Sequence, residues 1–127
     1  MKLTPTDSLA ITENIIAGPE HANQNGDWRF LNEANIVYTV NTKLALALET
    51  LIGVEANALS NGDTAKWGGI TAHLKYAPVS WYWLSPRFEY YHDRDGYSLS
   101  GYVNTATAPN RIIDITWTNG FPINTPT

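Results

Sequence analysis

The chain contains no cysteine, which excludes a disulfide framework and thiolate metal sites, although it is compatible with any compartment. Charge is sparse: Asp, Glu, Lys and Arg make up 16% of the residues, against ~25% in soluble globular domains. No apolar run approaches the ~18–20 residues of a membrane-spanning helix. The N-terminus, Met1-Lys2-Leu3-Thr4-Pro5-Thr6, lacks the apolar segment of a signal peptide, so an exported chain of this sequence is expected to be a mature form or a fragment. The net charge of −4 leaves no basic footprint for nucleic acid. There is no Gly-rich phosphate loop, G-x-S-x-G elbow or H-E-x-x-H pair, and His21, His73 and His92 are scattered. No metal, cofactor or catalytic role is expected.

What the chain has is 43% hydrophobic and 12% aromatic residues, with five Trp and seven Tyr, in 127 residues. That length suits one domain. Few charges with many Trp and Tyr suggest a chain that meets something less polar than water.

Period-two alternation dominates and recurs. Over 42–56, Leu44, Leu46, Leu48, Ile52 and Val54 share a face opposite Lys43, Ala45, Ala47, Glu49, Gly53 and Glu55. Such a segment is ~50 Å long, well beyond the usual ~5–6 residues of a soluble strand. Over 28–40, Trp28, Phe30, Ala34, Ile36, Tyr38 and Val40 oppose Arg29, Leu31, Glu33, Asn35, Val37 and Thr39. Over 67–76, Ile70, Ala72, Leu74 and Tyr76 oppose Gly69, Thr71, His73 and Lys75; over 81–91, Tyr82, Leu84, Phe88 and Tyr90 oppose Trp83, Ser85, Arg87, Glu89 and Tyr91. Pro86 predicts a bulge or local edge there. Weaker strands are expected over 7–17 and 111–118, where Ile113, Ile115 and Trp117 oppose Asp114, Thr116 and Thr118. That gives six strands, and 97–105 could supply another. Residues 1–6 and 122–127 are expected to be disordered ends.

The connections are expected to alternate: long at 18–26, tight at Asn41-Thr42, long at 57–64, tight at Pro78-Val79, and very long at 93–110. This predicts an all-β fold, an antiparallel up-and-down meander of about six to eight long strands with its long loops at one end, as in outer-membrane barrels. Aromatic placement agrees. Tyr38, Tyr76 and Tyr82 stand on the apolar faces beside the tight turns, and Trp28, Phe30 and Tyr90 toward the long loops, predicting two girdles around an aliphatic band. The polar faces collect Arg29, Glu33, Glu49, Glu55, His73, Lys75, Arg87 and Glu89. If the apolar faces meet lipid, these side chains line the interior; if the chain is soluble, they form a solvated outer face. With Arg and Lys among them, ion preference is open.

Some segments resemble a family. GPEHANQNGDWR at 18–29, TKLALALE at 42–49, AKWGGI at 65–70 and PRFEYYHDRDG at 86–96 are similar, in order and spacing, to segments of the OmpL-like β-barrel porins of Gram-negative bacteria, over roughly residues 8–100. The resemblance implies an outer-membrane barrel that passes small solutes passively, without a cofactor, in contact with membrane lipid. It also implies a longer chain with more strands, so closure is expected through further copies (a homo-oligomer) or a longer parent barrel. The Phe121-Pro122-Ile123-Asn124-Thr125-Pro126-Thr127 ending departs from the aromatic terminal strand usual in such barrels.

Two other classes compete. One is a soluble β-sandwich or barrel binding a ligand such as a carbohydrate through Trp67, Trp81, Trp83 and Tyr91. The other is a self-assembling fragment templated by open strand edges. Glu49 with Glu55, or Glu33 with Glu89, has the residue types of a glycosidase pair, which needs carboxylates ~5–10 Å apart across a cleft. Asp93-Arg94-Asp95-Gly96 with Ser98 superficially matches a calcium loop, but lacks the flanking helices and terminal Glu; a polar turn with Gly at positive φ is favoured.

Overall fold

In a computed structural model, which describes residues 1–21, 23–100 and 109–121, the chain forms seven strands: β1 (Lys2–Thr6), β2 (Leu9–His21), β3 (Gln24–Asn41), β4 (Leu44–Glu55), β5 (Ala65–Val79), β6 (Tyr82–Asp93) and β7 (Asn110–Gly120). They make one sheet in sequence order, each strand antiparallel to the next. The sheet is not closed, since β1 and β7 each have one neighbour. No helix occurs among the described residues.

Four expectations need correction. The N-terminus is not disordered: Lys2–Thr6 pair with β2, giving a seventh strand whose lone large apolar residue, Leu3, supplies too little periodicity to be read. Residues 18–26 are not a long loop. Gly18 pairs with Arg29, Pro19 with Trp28 and His21 with Gln24, and Asn23 holds a positive φ of 67° at the turn. A backbone ladder needs no apolar side chains, so a Gly- and Asn-rich stretch carries it, and this hairpin extends past the end of β4 at Glu55. Both tight turns shift by one or two residues: the first is Thr42-Lys43, because β3 continues through Asn41, and the second is Ser80-Trp81, because β5 continues through Val79. Finally, Tyr97–Ser100 form turns rather than the start of an extra strand; the rest of 97–105, like 122–127, lies outside the described residues.

Proline accompanies three of the four register shifts; the fourth, between Thr39 and Asn41, lies at the β3–β4 turn and has no proline beside it. Registers shift between Leu3 and Thr6, between Pro19 and His21, and between Tyr76 and Val79, next to Pro5, Pro19 and Pro78, each of which lacks a ladder donor. Beside Pro86 the β5–β6 ladder omits two pairs, then resumes at Tyr76–Leu84 in the register of His73–Arg87. The result is a local gap rather than a bulge.

The register places Leu9, Ile11, Phe30, Ile36, Tyr38, Leu46, Leu48, Ile52, Ile70, Leu74, Phe88, Ile113, Ile115 and Trp117 on one face. Most of these side chains are uncovered, with Ile115 77% exposed and Ile52 54%, whereas Leu9, Ile11 and Leu74 are half covered; on the opposite face Ile16 and Ile112 are exposed as well. Along β4 and β7 the polar positions Glu49, Glu55, Asp114 and Thr116 are the more covered ones. Among the described residues the buried set is Ala65, Glu55 and Asp93 together with Gly53 and Gly96. A sheet with its apolar face bare and two carboxylates buried inverts the arrangement of a soluble protein.

Candidate pore-lining face

All eight expected lining residues fall on the polar face. Arg29 pairs with Glu55, Asn35 with Glu49, Glu49 with Thr71, Thr71 with Glu89 and His73 with Arg87, while Glu33 and Lys75 lie on the same alternation. The pairing forms rows across the sheet. One row runs Asn35, Glu49, Thr71, Glu89, Asp114, and the next runs Val37, Ala47, His73, Arg87, Thr116. Asp114 and Asp93 belong to this face and were not among the expected residues. Asp93 follows the Arg87, Glu89, Tyr91 alternation by one step, which a strand ended at 91 cuts off.

Mid-face, carboxylates are held by fixed neighbours. Asn35 Nδ2 donates to Glu49 Oε1 at 2.8 Å, and Arg87 Nη2 to Glu89 Oε2 at 2.7 Å. Asp114 lies 3.7 Å from Arg87 and accepts from Thr116 Oγ1 at 2.6 Å. His73 Nε2 is 3.8 Å from Glu49, too far for a hydrogen bond. Lys75 lies 5.5 Å from the centroid of the Trp83 ring.

Large rings on this face lie against glycines of the adjacent strand. A Cβ on Gly53 would overlap the Trp67 indole, one on Gly120 would overlap Trp83, and one on Gly69 would come within 3.0 Å of the Tyr91 ring. Glycine removes the side chain that would lift each ring, so the rings lie low over the backbone. These cross-strand pairs are invisible to a reading along the chain, because they depend on register.

At the long-loop end the segment after β6 folds back over the polar face. Asp93 accepts the backbone N–H groups of Tyr97 (3.1 Å) and Leu99 (3.0 Å). Asp95 accepts from the Lys66 amide at 2.8 Å, and Gly96 sits at φ 67°. The carboxylates therefore bind backbone amides, as a polar turn requires. Tyr97 donates to Glu55 Oε1 at 2.6 Å, Arg29 Nη2 reaches the Tyr97 oxygen at 3.5 Å, and Arg29 Nε donates to Glu55 Oε2 at 2.6 Å. The Tyr97 ring packs on Trp67, centroids 5.7 Å apart, and Ser98 bonds the Tyr91 hydroxyl at 2.6 Å. Burial, followed by the bond to Glu55, holds the Tyr97 phenol above its ordinary range, so it stays a donor at neutral pH.

On the apolar face, Trp28, Phe30, Tyr38 and Tyr76 are 40–52% exposed. Tyr90 stands between Ile70 and Ile113, within the aliphatic rows. At the tight-turn end Tyr82 joins an aromatic group absent from the expected girdle. Trp81 and Phe121 stack at 6.4 Å and 14°, Tyr82 and Phe121 approach to 5.3 Å, and Tyr82 and Trp117 both donate to Asn119 Oδ1.

Of the two carboxylate pairs, Glu49 with Glu55 is set too far apart for glycosidase chemistry. Glu49 and Glu55 are six residues apart on one strand, about 20 Å. Glu33 and Glu89 stand three strands apart, about 14 Å in the hydrogen-bonding direction alone. The first exceeds the span of a glycosidase pair; the second is a backbone spacing, and Glu33 and Glu89 line one cavity of the polar face together with Glu49.

Compared with known families, residues 1–125 match the sequence model of the family described as "Putative beta-barrel porin-2, OmpL-like". This is a porin-like family and not a known enzyme family. No curated protein and no solved structure matches the chain.

Proposed function

The chain belongs to the OmpL-like β-barrel porin family, and from that membership we propose that it builds the wall of a bacterial outer-membrane barrel through which small polar solutes diffuse passively. The observation that carries this reading is the inverted exposure of the sheet. Isoleucines and leucines stand bare on one face while Glu55 and Asp93 are buried at the other. Water would penalise that apolar surface at about 25 cal/mol per Å², whereas lipid does not. From Leu44 to Val54 the apolar positions span about 33 Å of strand. A tilt of about 40° reduces this to roughly 25 Å, the height of a barrel's lipid-facing band. Selection would come from pore width and the field of the lining groups; Glu33, Glu49, Glu89 and Asp114 against Arg87 and Lys75 give that field a mild preference for cations.

Closure needs strands beyond these seven. Because seven is odd, β1 and β7 run parallel to each other. Copies set side by side in one orientation would meet β7 to β1 in parallel, which breaks the antiparallel ladder of bacterial barrels. An odd number of further antiparallel strands completes the wall without that fault, so a longer barrel suits the edges better than a ring of copies. The same open edges make strand-mediated aggregation the expected fate of the chain in water.

The soluble carbohydrate-binding alternative is less well supported. Trp67 pairs with Asp93 and Trp83 with Gly120, ten residues apart along β6, so the two indoles lie about 33 Å apart and share no platform. No second layer covers the apolar face among the described residues.

Size exclusion with and without detergent, together with circular dichroism, tests the proposal. A β-rich species dispersed only in detergent is expected. A monodisperse monomer in plain buffer would overturn it.

A further inference from the structure

The segment 93–100 is fixed to the polar face by side chains that the barrel wall itself does not need. Glu55 is 2% exposed and Asp93 fully buried, and both are covered where this segment lies. Four attachments spread across four strands: Tyr97 to Glu55 on β4 and to Arg29 on β3, its ring on Trp67 of β5, and Ser98 to Tyr91 of β6. Asp93 closes the turn from within by accepting two of its amides. A surface loop held only by its own ladder would have no reason to spend a buried carboxylate and a guanidinium on one tyrosine hydroxyl.

We propose that residues 93–100, latched by Tyr97, form a built-in constriction at the long-loop end that limits the size of the solute admitted. The inference rests on the pore reading above. Its chemistry separates two functions along the face. At the latch, Glu55 is neutralised by Arg29 and its remaining oxygen by the tyrosine hydroxyl, so this level filters by width with little net charge. The mid-face row of Glu49, Glu89 and Asp114 lies three rows deeper than Glu55 and carries the charge preference. Small neutral polar solutes and hydrated monovalent cations pass both levels; bulkier solutes stop at the first.

Single-channel recording in planar bilayers, on the full chain with whatever strands complete its barrel, tests this with Tyr97→Ala and Tyr97→Phe. Tyr97→Ala removes the ring and both bonds, and conductance should rise about twofold or more as the narrowest section widens, with the cation-to-anion ratio unchanged. Tyr97→Phe keeps the ring on Trp67 but loses the bonds to Glu55 and Arg29, so its conductance should rise, and by less than that of Tyr97→Ala. A conducting wild type with Tyr97→Ala indistinguishable from it would overturn the constriction while leaving the pore intact. Hydrogen exchange on the detergent-folded chain gives an independent reading: the Tyr97 and Leu99 amides should be protected. Rapid exchange there refutes the latch whether or not the chain conducts. Protection without any conductance refutes the pore and, with it, the role as a solute filter.

Discussion

The two ends of the sheet solve the same problem by opposite means. Both must finish strands whose apolar face is bare and whose polar face is lined. At the tight-turn end the chain reverses in two residues, at Asp7-Ser8, Thr42-Lys43 and Ser80-Trp81, and order comes from rings: Trp81, Tyr82 and Phe121 group together, with Asn119 taking the polar tips of Tyr82 and Trp117. Rings with a polar handle suit the boundary between hydrocarbon and water. At the long-loop end order comes from charge, with Glu55 and Asp93 buried and satisfied. An exposed aromatic group can lose one member and keep the rest. A buried carboxylate cannot lose its donors without a penalty. The loop end should therefore be the brittle one.

Glycine substitutions give the sharpest contrast. Gly53 and Gly120 each lie under an indole with no room for a Cβ. Trp67 over Gly53 is also packed by Tyr97, whereas Trp83 over Gly120 sits beside the edge strand β7. Gly53→Val should destabilise the detergent-folded chain by about 3 kcal/mol, near the upper range for overpacking, and Gly120→Val by about 1 kcal/mol. Urea unfolding followed by circular dichroism measures both. Equal losses would mean that the ring over Gly53 is as free to move as the one at the edge.

Smaller effects are expected from deleting one member at each end. Glu55→Ala leaves Arg29 and Tyr97 facing a buried gap and should cost about 2–3 kcal/mol. Phe121→Ala removes one ring from an exposed stack and should cost about 1 kcal/mol. If Phe121→Ala proves the more damaging in the same unfolding assay, the ordering of the two ends is reversed.

The same contrast separates what the sequence reveals from what it conceals. Period two is a property of the single strand. It places Arg29, Glu33, Glu49, Glu55, His73, Lys75, Arg87 and Glu89 on one face and the aliphatic residues on the other before any partner is known. The meander follows from that periodicity and the turn residues. What escapes depends on contacts across the sheet or back over it. Gly53 under Trp67 requires the β4–β5 register. Strand β1 has too few apolar residues to show a period. Residues 18–26 read as a loop because Gly18, Pro19 and the asparagines outweigh a ladder that uses only backbone. For Tyr97 the sequence holds a faint signal, an aromatic residue one step after the Asp93–Gly96 turn, but its reach to Glu55 and Arg29 is a matter of tertiary structure alone.

The smallest expected effect is a pH dependence that only the latch should show. Tyr97 has its folded-state value raised above 10 by burial and by the bond to Glu55, so the protonated phenol is the form that the folded segment favours. A group of this sign contributes its full stabilisation below the unfolded value and loses it as pH rises through the folded one. From pH 6 to 9 the phenol remains a donor, and exchange of the Tyr97 and Leu99 amides, corrected for intrinsic rate, should be constant. Above pH 10 an ionised Tyr97 would face Glu55 at hydrogen-bonding distance, with Arg29 alone to offset two negative charges, and protection should fall. Tyr97→Phe removes this step and leaves the tight-turn end, which is held by rings, as the control. A fall already complete by pH 9, or one that persists in Tyr97→Phe, would show that another group holds the segment down.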